Sequence, residues 1–569
     1  MTATFYPPKK SDSAIIPNGI LATGYASFIV SNINGLTIPD SVTKIEGFSF
    51  YGTKLTEVNL PNSITYIGEV KTLISMKLPL NIYELKIGCF FNTRLTSIEL
   101  PESLKIINSG CFTNCPNLKR VVLPENLTTL NGKVFDTTTE LVFKENSNFY
   151  INDYYVIMTK DNQTVSQYIG GNEAKEIPIL SDVIEIKSSS FKDKSLLRKI
   201  IFETNSKLKI VQNEAFSGCN NIECIELPRS LTKIGGKAFY NCYKLKSITL
   251  SECTSLGKNV FENCNELTTI SMEDSSLTIL GDSVFSNCTS LNNIYLPISL
   301  TTIGFSTFSG CTSLTLVLFH DKISSIGNNC FENCNLEEVD LSICTSLTSI
   351  SEYCFSGNTH LSEIKLPSTI SVINSYSFSN TGILIFTCPL SLEKIYSDSF
   401  LSCVSLSTIV IPSECRLSSI SGGSFRNCFS IKNITCKNSN YVVVTGALFD
   451  IHMTSLILFP PASPVKFFSL PGSTTNIGEG AFMSCINLVS IMIPSDSVIE
   501  ISQNAFEGCD HLSCGCEIEN QSKTFLTTLI SISKLPSRCT HDCLSLCSIK
   551  IINNIQSNFL IHPFIAMLL

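Results

Sequence analysis

A phenylalanine returns about every 23 residues along this chain, always in the same local setting, and that periodicity constrains the fold more than any other feature. One copy reads LTKIGGKAFYNCYKLKSITL, from Leu231 to Leu250. Aligned on the aromatic, the series runs Phe50, Phe90, Phe112, Phe135, Phe191, Phe216, Phe239, Phe261, Phe285, Phe308, Phe331, Phe355, Phe378, Phe400, Phe425, Phe482 and Phe506. From Phe216 to Phe425 the intervals are 23, 22, 24, 23, 23, 24, 23, 22 and 25 residues, the period of a stacked solenoid. One such unit cannot bury its own phenylalanine, so neighbouring units must bury them together as a continuous core.

The apolar slots around the aromatic repeat as well. In the Phe239 unit they are Ile234, Cys242, Leu245, Ile248 and Leu250. The stretch Ile248, Thr249, Leu250 alternates inward, outward, inward, the period of a short half-buried strand. Proline closes many of these stretches, at Pro61, Pro101, Pro124, Pro228, Pro297, Pro367, Pro412 and Pro494. A residue without an N–H cannot sit inside a ladder, so each marks a strand end. Glycines at 68, 88, 235, 281, 304, 327 and 478 follow the return-side aliphatic residue, where a turn with positive φ is expected.

The consensus I-G-x-x-x-F-x-x-C-x-x-L-x-x-I-x-L-P-x-S-L resembles the BspA-like leucine-rich repeat, also called the Treponema pallidum type, of bacterial surface proteins and protozoan surface antigens. The resemblance covers Leu36 to Leu512. It implies an α/β repeat solenoid: a curved leucine-rich-repeat array with a parallel concave sheet and short helical or irregular segments on the convex side. Two interruptions, beginning at Ser147 and Ser439, resemble the hairpin-like inserts of such arrays. The expected organisation is an N-terminal segment 1–35, repeats over 36–143, an insert at 144–178, repeats over 179–436, an insert at 437–469, repeats over 470–518 and a divergent C-terminal segment 519–569.

Composition fits a long buried core: of 569 residues, 43% are apolar and 15% charged. The net charge of −8 and the lack of basic runs argue against a nucleic-acid partner. Of the 26 cysteines, 11 sit three residues after the repeat phenylalanine: Cys115, Cys219, Cys242, Cys264, Cys288, Cys311, Cys334, Cys403, Cys428, Cys485 and Cys509. Thr53, Thr93, Thr138, Lys194, Asn358 and Thr381 take that place elsewhere, which favours a small, weakly polar side chain bonding a neighbouring backbone group. Stacked coils also bring like positions within disulfide range, so a reduced ladder and bridges between coils are both open. Near the end, Cys514, Cys516, Cys539, His541, Cys543 and Cys547 form a denser group, read as part of a terminal cap with a metal or disulfide site as the alternative. The first 20 residues lack the apolar stretch of a signal peptide, and the closing FLIHPFIAMLL is too short to span a bilayer.

No nucleophile motif, zinc motif or phosphate loop occurs. The six histidines, His320, His360, His452, His511, His541 and His562, are scattered. The Gly-Gly-Lys beginning at Gly235 occupies an ordinary repeat slot. The chain therefore reads as non-enzymatic, with no cofactor. What varies is the outward side of the strands. From Asn293 to Lys365 that face carries Asn293, Tyr295, Leu316, Leu318, Glu338, Asp340, Glu363 and Lys365, an apolar centre with an acidic flank, the kind of patch that binds protein. The resemblance implies a surface or secreted antigen or adhesin engaging host protein, extracellular matrix or glycan; the missing signal peptide and abundant cysteine favour an intracellular scaffold instead.

Overall fold

The computed structural model describes residues 2–3, 13–70, 73–171, 175–492 and 500–512. The cysteine-rich C-terminal group, Pro494 and the apolar terminus lie outside them. Two compact units are present: Met1–Leu277 with Ser283–Ser290, and Thr278–Asp282 with Leu291–Leu569. Each is a β-solenoid of stacked coils in which like strands pair in parallel. In the first unit, Glu57–Asn59, Ser75–Lys77, Ile98–Glu99, Arg120–Leu123 and Glu140–Phe143 make one five-stranded sheet. A second ladder of two-residue strands runs down the return side, as from Glu185–Ile186 through Ile210–Val211 and Lys233–Ile234 to Ser255–Leu256.

The repeat slots all point inward. Ile234, Phe239, Cys242, Leu245, Ile248 and Leu250 are buried while Thr249 is exposed. The phenylalanines stack: Phe191, Phe216, Phe239, Phe261 and Phe285 follow one another with ring centroids 5.0 to 5.5 Å apart and nearly parallel planes. In the second unit Phe308, Phe331, Phe355, Phe378, Phe400 and Phe425 do the same. The proline after a strand opens a turn, its carbonyl accepting from the residue three ahead, as Leu231 N to Pro228 O at 3.0 Å.

The helical segments expected opposite the sheet are absent: there is no helix among the described residues. The aromatic instead sits at the centre of a turn ridge. Two residues before and two after it, φ is positive, as at Glu214 and Gly218 around Phe216, Lys237 and Asn241 around Phe239, and Tyr353 and Gly357 around Phe355. This alternation aims every second N–H along the stack: Glu214 N donates to Gly236 O at 2.9 Å, Phe216 N to Ala238 O at 2.8 Å and Gly218 N to Tyr240 O at 2.8 Å. The N–H groups between them close tight turns, Ser217 to Glu214 O and Cys219 to Phe216 O. Each coil thus satisfies its backbone from the next one, which a helix could not do at this spacing. Asparagine is frequent on the ridge because it tolerates positive φ, and its amides form their own ladder, Asn287 to Asn263 at 3.0 Å and Asn263 to Asn241 at 2.8 Å.

The glycine expectation is corrected in the same way. Gly88 does have φ +64°, but Gly68, Gly235, Gly304, Gly327 and Gly478 do not need positive φ. They are glycine because coils touch there: a Cβ on Gly235 would lie 2.5 Å from Asn213 N, and one on Gly327 would lie 2.6 Å from Phe305 N.

Both interruptions are antiparallel meanders whose last strand rejoins the return ladder. In the first, Phe149–Ile151 pairs Val156–Thr159, which pairs Thr164–Tyr168, which runs parallel to Glu185–Ile186. Tyr168 then takes the aromatic place, its ring 5.7 Å from Phe191. In the second, Tyr441–Val444, Ala447–Asp450 and Ser455–Leu458 repeat this arrangement, and Phe459 supplies the ring. Thr445 and Gly446 both have positive φ in the two-residue turn, the geometry a twisted hairpin requires.

Candidate functional site

The candidate residues lie in the second unit, on four consecutive coils. Strand Asn293–Tyr295 pairs Leu316–Leu318 with Asn293 opposite Leu316 and Tyr295 opposite Leu318. Strand Glu338–Asp340 pairs Glu363–Lys365 with Glu338 opposite Glu363 and Asp340 opposite Lys365. Glu337 N reaches Thr315 O at 3.4 Å, joining the two pairs. The middle residues Ile294, Val317 and Val339 are buried, so pleat alternation pushes the flanking side chains outward. Tyr295 is 46% and Leu318 51% exposed, while Leu316 is half-buried. An aromatic and two leucines thus share one exposed surface.

The acidic side is electrostatically uneven. Lys365 Nζ lies 3.3 Å from Glu363 Oε1, and this bond raises the lysine's pKa. Asp340 accepts from Ser342 N at 2.9 Å and Ser342 Oγ at 2.6 Å, which holds its carboxyl below the usual range. Glu338 faces Glu363 across the ladder, like charge against like, and has no ion-pair partner among the described residues. A basic group on a ligand would relieve that repulsion.

Ile385 was not legible as part of this surface. It leads the strand Ile385–Thr387 in the next coil, where Leu384 N bonds Ser362 O at 3.2 Å, and it is 56% exposed. Its coil reads TGILIFTCP, four apolar residues in a row, so the inward position was ambiguous until Phe386 proved to be the buried one. The acidic strip therefore has exposed apolar groups on both sides.

The cysteine column has a different role. Cys219, Cys242, Cys264 and Cys288 are buried thiols whose Sγ donates to the carbonyl of the phenylalanine one coil earlier, at 3.0, 3.3, 3.3 and 3.2 Å. Burial pushes the Cys219 thiol up to about 12, so the donor stays protonated. Asn358 does the same with its amide, Nδ2 to Phe331 O at 2.7 Å. Thr138, expected in this column, is exposed; its buried neighbour Thr139 bonds Leu118 O at 3.1 Å, not a phenylalanine carbonyl. Lys194 also occupies the column, its Nζ 3.1 Å from Gly170 O and 4.9 Å from the Tyr168 ring centre, and burial lowers its pKa to about 8. His320 Nε2 lies 3.0 Å from Pro297 O, a backbone partner. Among the described residues no three of His, Cys, Asp and Glu gather in a position to hold a metal.

Comparison with known proteins agrees with this architecture. The family model of the BspA type leucine rich repeat region matches six times, over residues 2–71, 68–155, 167–292, 278–406, 325–455 and 458–559. No curated protein matches. Among solved structures, a leucine-rich repeat protein from Bacteroides ovatus is 25% identical, covering 64% of this chain and 85% of its own, with a TM-score of 0.43. A leucine rich cell surface protein from Faecalibacterium prausnitzii is 24% identical over 68% of this chain and 98% of its own, TM-score 0.42. The T. pallidum leucine rich repeat protein is 22% identical over 33% of this chain and 85% of its own, TM-score 0.28. With six matches that together span most of its length, this chain belongs to the BspA-type leucine-rich-repeat family.

Proposed function

We propose that this chain is a non-enzymatic binding protein, displayed at a cell surface or secreted, that captures a protein ligand through the sheet face from Asn293 to Ile385. The observation that carries this reading is the pairing of Tyr295 with Leu318, both about half exposed, beside a carboxylate pair that no cation fully neutralises. Exposed aromatic and aliphatic anchors flanked by unscreened charge are what a protein interface uses for affinity and orientation. The fitting ligand presents an apolar ridge with a basic residue beside it. Family membership supports surface display, and no helix among the described residues is long and apolar enough to cross a membrane.

The test uses purified extracellular-matrix proteins immobilised as a panel, with binding read by surface plasmon resonance. Tyr295→Ala combined with Leu318→Ser is expected to abolish capture while leaving the thermal midpoint unchanged; undiminished capture refutes the site. Antibody staining of intact against permeabilised cells tests the location. The thiol hydrogen bonds favour a second reading, an intracellular scaffold, because they require reduced cysteine. Staining only after permeabilisation would establish that one.

A further inference from the structure

Among the described residues, paired positive-φ residues flank every repeat phenylalanine except beside the inserts, and the two exceptions differ. At the second insert only the Phe459 coil lacks the paired positive-φ residues, and the ridge closes over it: Gly423 N bonds Glu479 O at 3.3 Å, and Arg426 reaches Glu479 at 3.8 Å. At the first insert two successive coils lack them, those of Phe135 and Tyr168. There the missing backbone bonds are supplied by one buried side chain. Gln167 Oε1 accepts from Val134 N at 2.8 Å and Phe135 N at 3.2 Å, and its Nε2 donates to Phe135 O at 2.7 Å. The ridge is thereby held down rather than closed over. A hollow of about 400 Å³ results, within the first unit and away from the sheet face.

That volume suits a small ligand. The walls are mostly polar. The earlier ridge contributes Ser109 and Asn114, and the later ridge Lys192 and Asp193, with Lys133 and Asp136 on the depressed coil between them. Cations and anions alternate at short range: Lys192 Nζ lies 2.8 Å from Glu214 and Lys133 Nζ 3.9 Å from Asp193. Asp136 uses Oδ2 to accept the Cys115 N–H at 3.3 Å. Phe91, also in the lining, is 37% exposed.

We infer that this hollow is a binding site for a neutral saccharide, one or two sugar units long. A sugar hydroxyl accepts from an ammonium and donates to a carboxylate at once, which adjacent Lys133 and Asp193 satisfy without net charge on the ligand. An aromatic ring beside such pairs takes the C–H face of the sugar. Two lysines set against three carboxylates leave no strong field to select an anion. The site is independent of the protein-binding face proposed above, which belongs to the other unit.

Saturation-transfer NMR on the full chain tests it. The probes are methyl glycosides of neutral hexoses, 6-deoxyhexoses and N-acetylhexosamines, with methyl phosphate and acetate as anionic comparators. At least one neutral glycoside is expected to receive saturation. Its affinity should fall about tenfold in Phe91→Ala and in Asp136→Asn, the loss of one contact or charge-assisted bond. Asp136→Asn keeps an acceptor for Cys115 N, and circular dichroism melts confirm that both variants fold. Transfer to no neutral glycoside, to the anions alone, or undiminished in both folded variants would each overturn the inference.

Discussion

The claim that Gly327 is glycine because coils touch, and not because of its φ, has a measurable consequence. Where an alanine fits the native conformation without strain, replacing glycine stabilises by about 0.4–1 kcal/mol, because the unfolded chain loses freedom. A Cβ on Gly472 would meet nothing within 4 Å, and its φ is not positive, so Gly472→Ala should show that gain. At Gly327 the new methyl would stand 2.6 Å from Phe305 N, 2.7 Å from Gly304 C and 2.8 Å from Gly304 O. All three are backbone atoms, so no rotamer change relieves the clash, and the coils must part by most of an ångström. Two bonds cross that contact, Gly327 N to Ile303 O and Ser306 N to Asn328 O, each 2.9 Å. Overpacking costs about 1–3 kcal/mol and a weakened hydrogen bond about 1 kcal/mol, against the sub-kilocalorie entropic gain. Gly327→Ala is therefore expected to destabilise by about 1–3 kcal/mol, read as a lowered urea midpoint by circular dichroism, the chain having no tryptophan. If Gly327→Ala proved as stable as Gly472→Ala, the close-approach argument would be wrong.

Two further predictions rest on the column behind the phenylalanines. Asn358 is buried, donates to Phe331 O at 2.7 Å and Phe355 O at 2.9 Å, and accepts from Leu336 N at 3.1 Å. Asn358→Ala should cost about 3 kcal/mol or more by stranding those groups, and Asn358→Cys, which restores the thiol donor used elsewhere, should recover part of it; equal urea midpoints for wild type and Asn358→Ala would refute this. Lys194 has a folded pKa of about 8, below the value of about 10.4 for an unfolded lysine. Between those values the unfolded chain holds the extra proton, so this lysine's contribution to stability should rise with pH across that window, its penalty fully present below pH 8, while buried thiols such as Cys219, whose pKa burial raises, contribute in the opposite sense. Lys194→Met removes that contribution alone, so the wild-type urea midpoint should gain on the variant's between about pH 7.5 and about pH 10, and a difference between the two proteins that does not change with pH would refute the assignment.

The core was legible because its signal repeats. Ile234, Phe239, Cys242, Leu245, Ile248 and Leu250 recur in register, and all six are buried in the structure. The turn ridge was not, because positive φ falls there on Glu214, Lys237 and Tyr353, residues with no local preference for it. They are held there by hydrogen bonds to the next coil, a long-range cause that leaves no trace in a single window of sequence. The glycines misled for the related reason that close approach between coils and positive φ select the same residue. On the sheet face the alternation placed Tyr295, Leu318, Glu338 and Glu363 outward correctly, and failed only at Ile385, where four apolar residues in a row erase the period.

The same ladder explains where this chain has room for function. Because each coil takes its backbone partners from the next, the column behind the aromatic needs only a donor of modest size, and cysteine, asparagine and threonine serve in turn. Buried thiols held protonated in this way, such as Cys219, Cys242 and Cys264, make poor nucleophiles and mark packing rather than chemistry. Functional variety is left to two kinds of place: strand residues whose side chains the pleat turns outward, and coils where the ladder is broken and must be repaired. The second kind is costly, as Gln167 shows, since a buried amide must replace backbone bonds with correct geometry at both ends. At the second insert the ridge simply skips a coil and closes. At the first, where two coils in succession lack the turn geometry, it does not. A break that is maintained by a dedicated buried side chain, lined with charged pairs and left open is better explained by a ligand than by tolerance of an insertion.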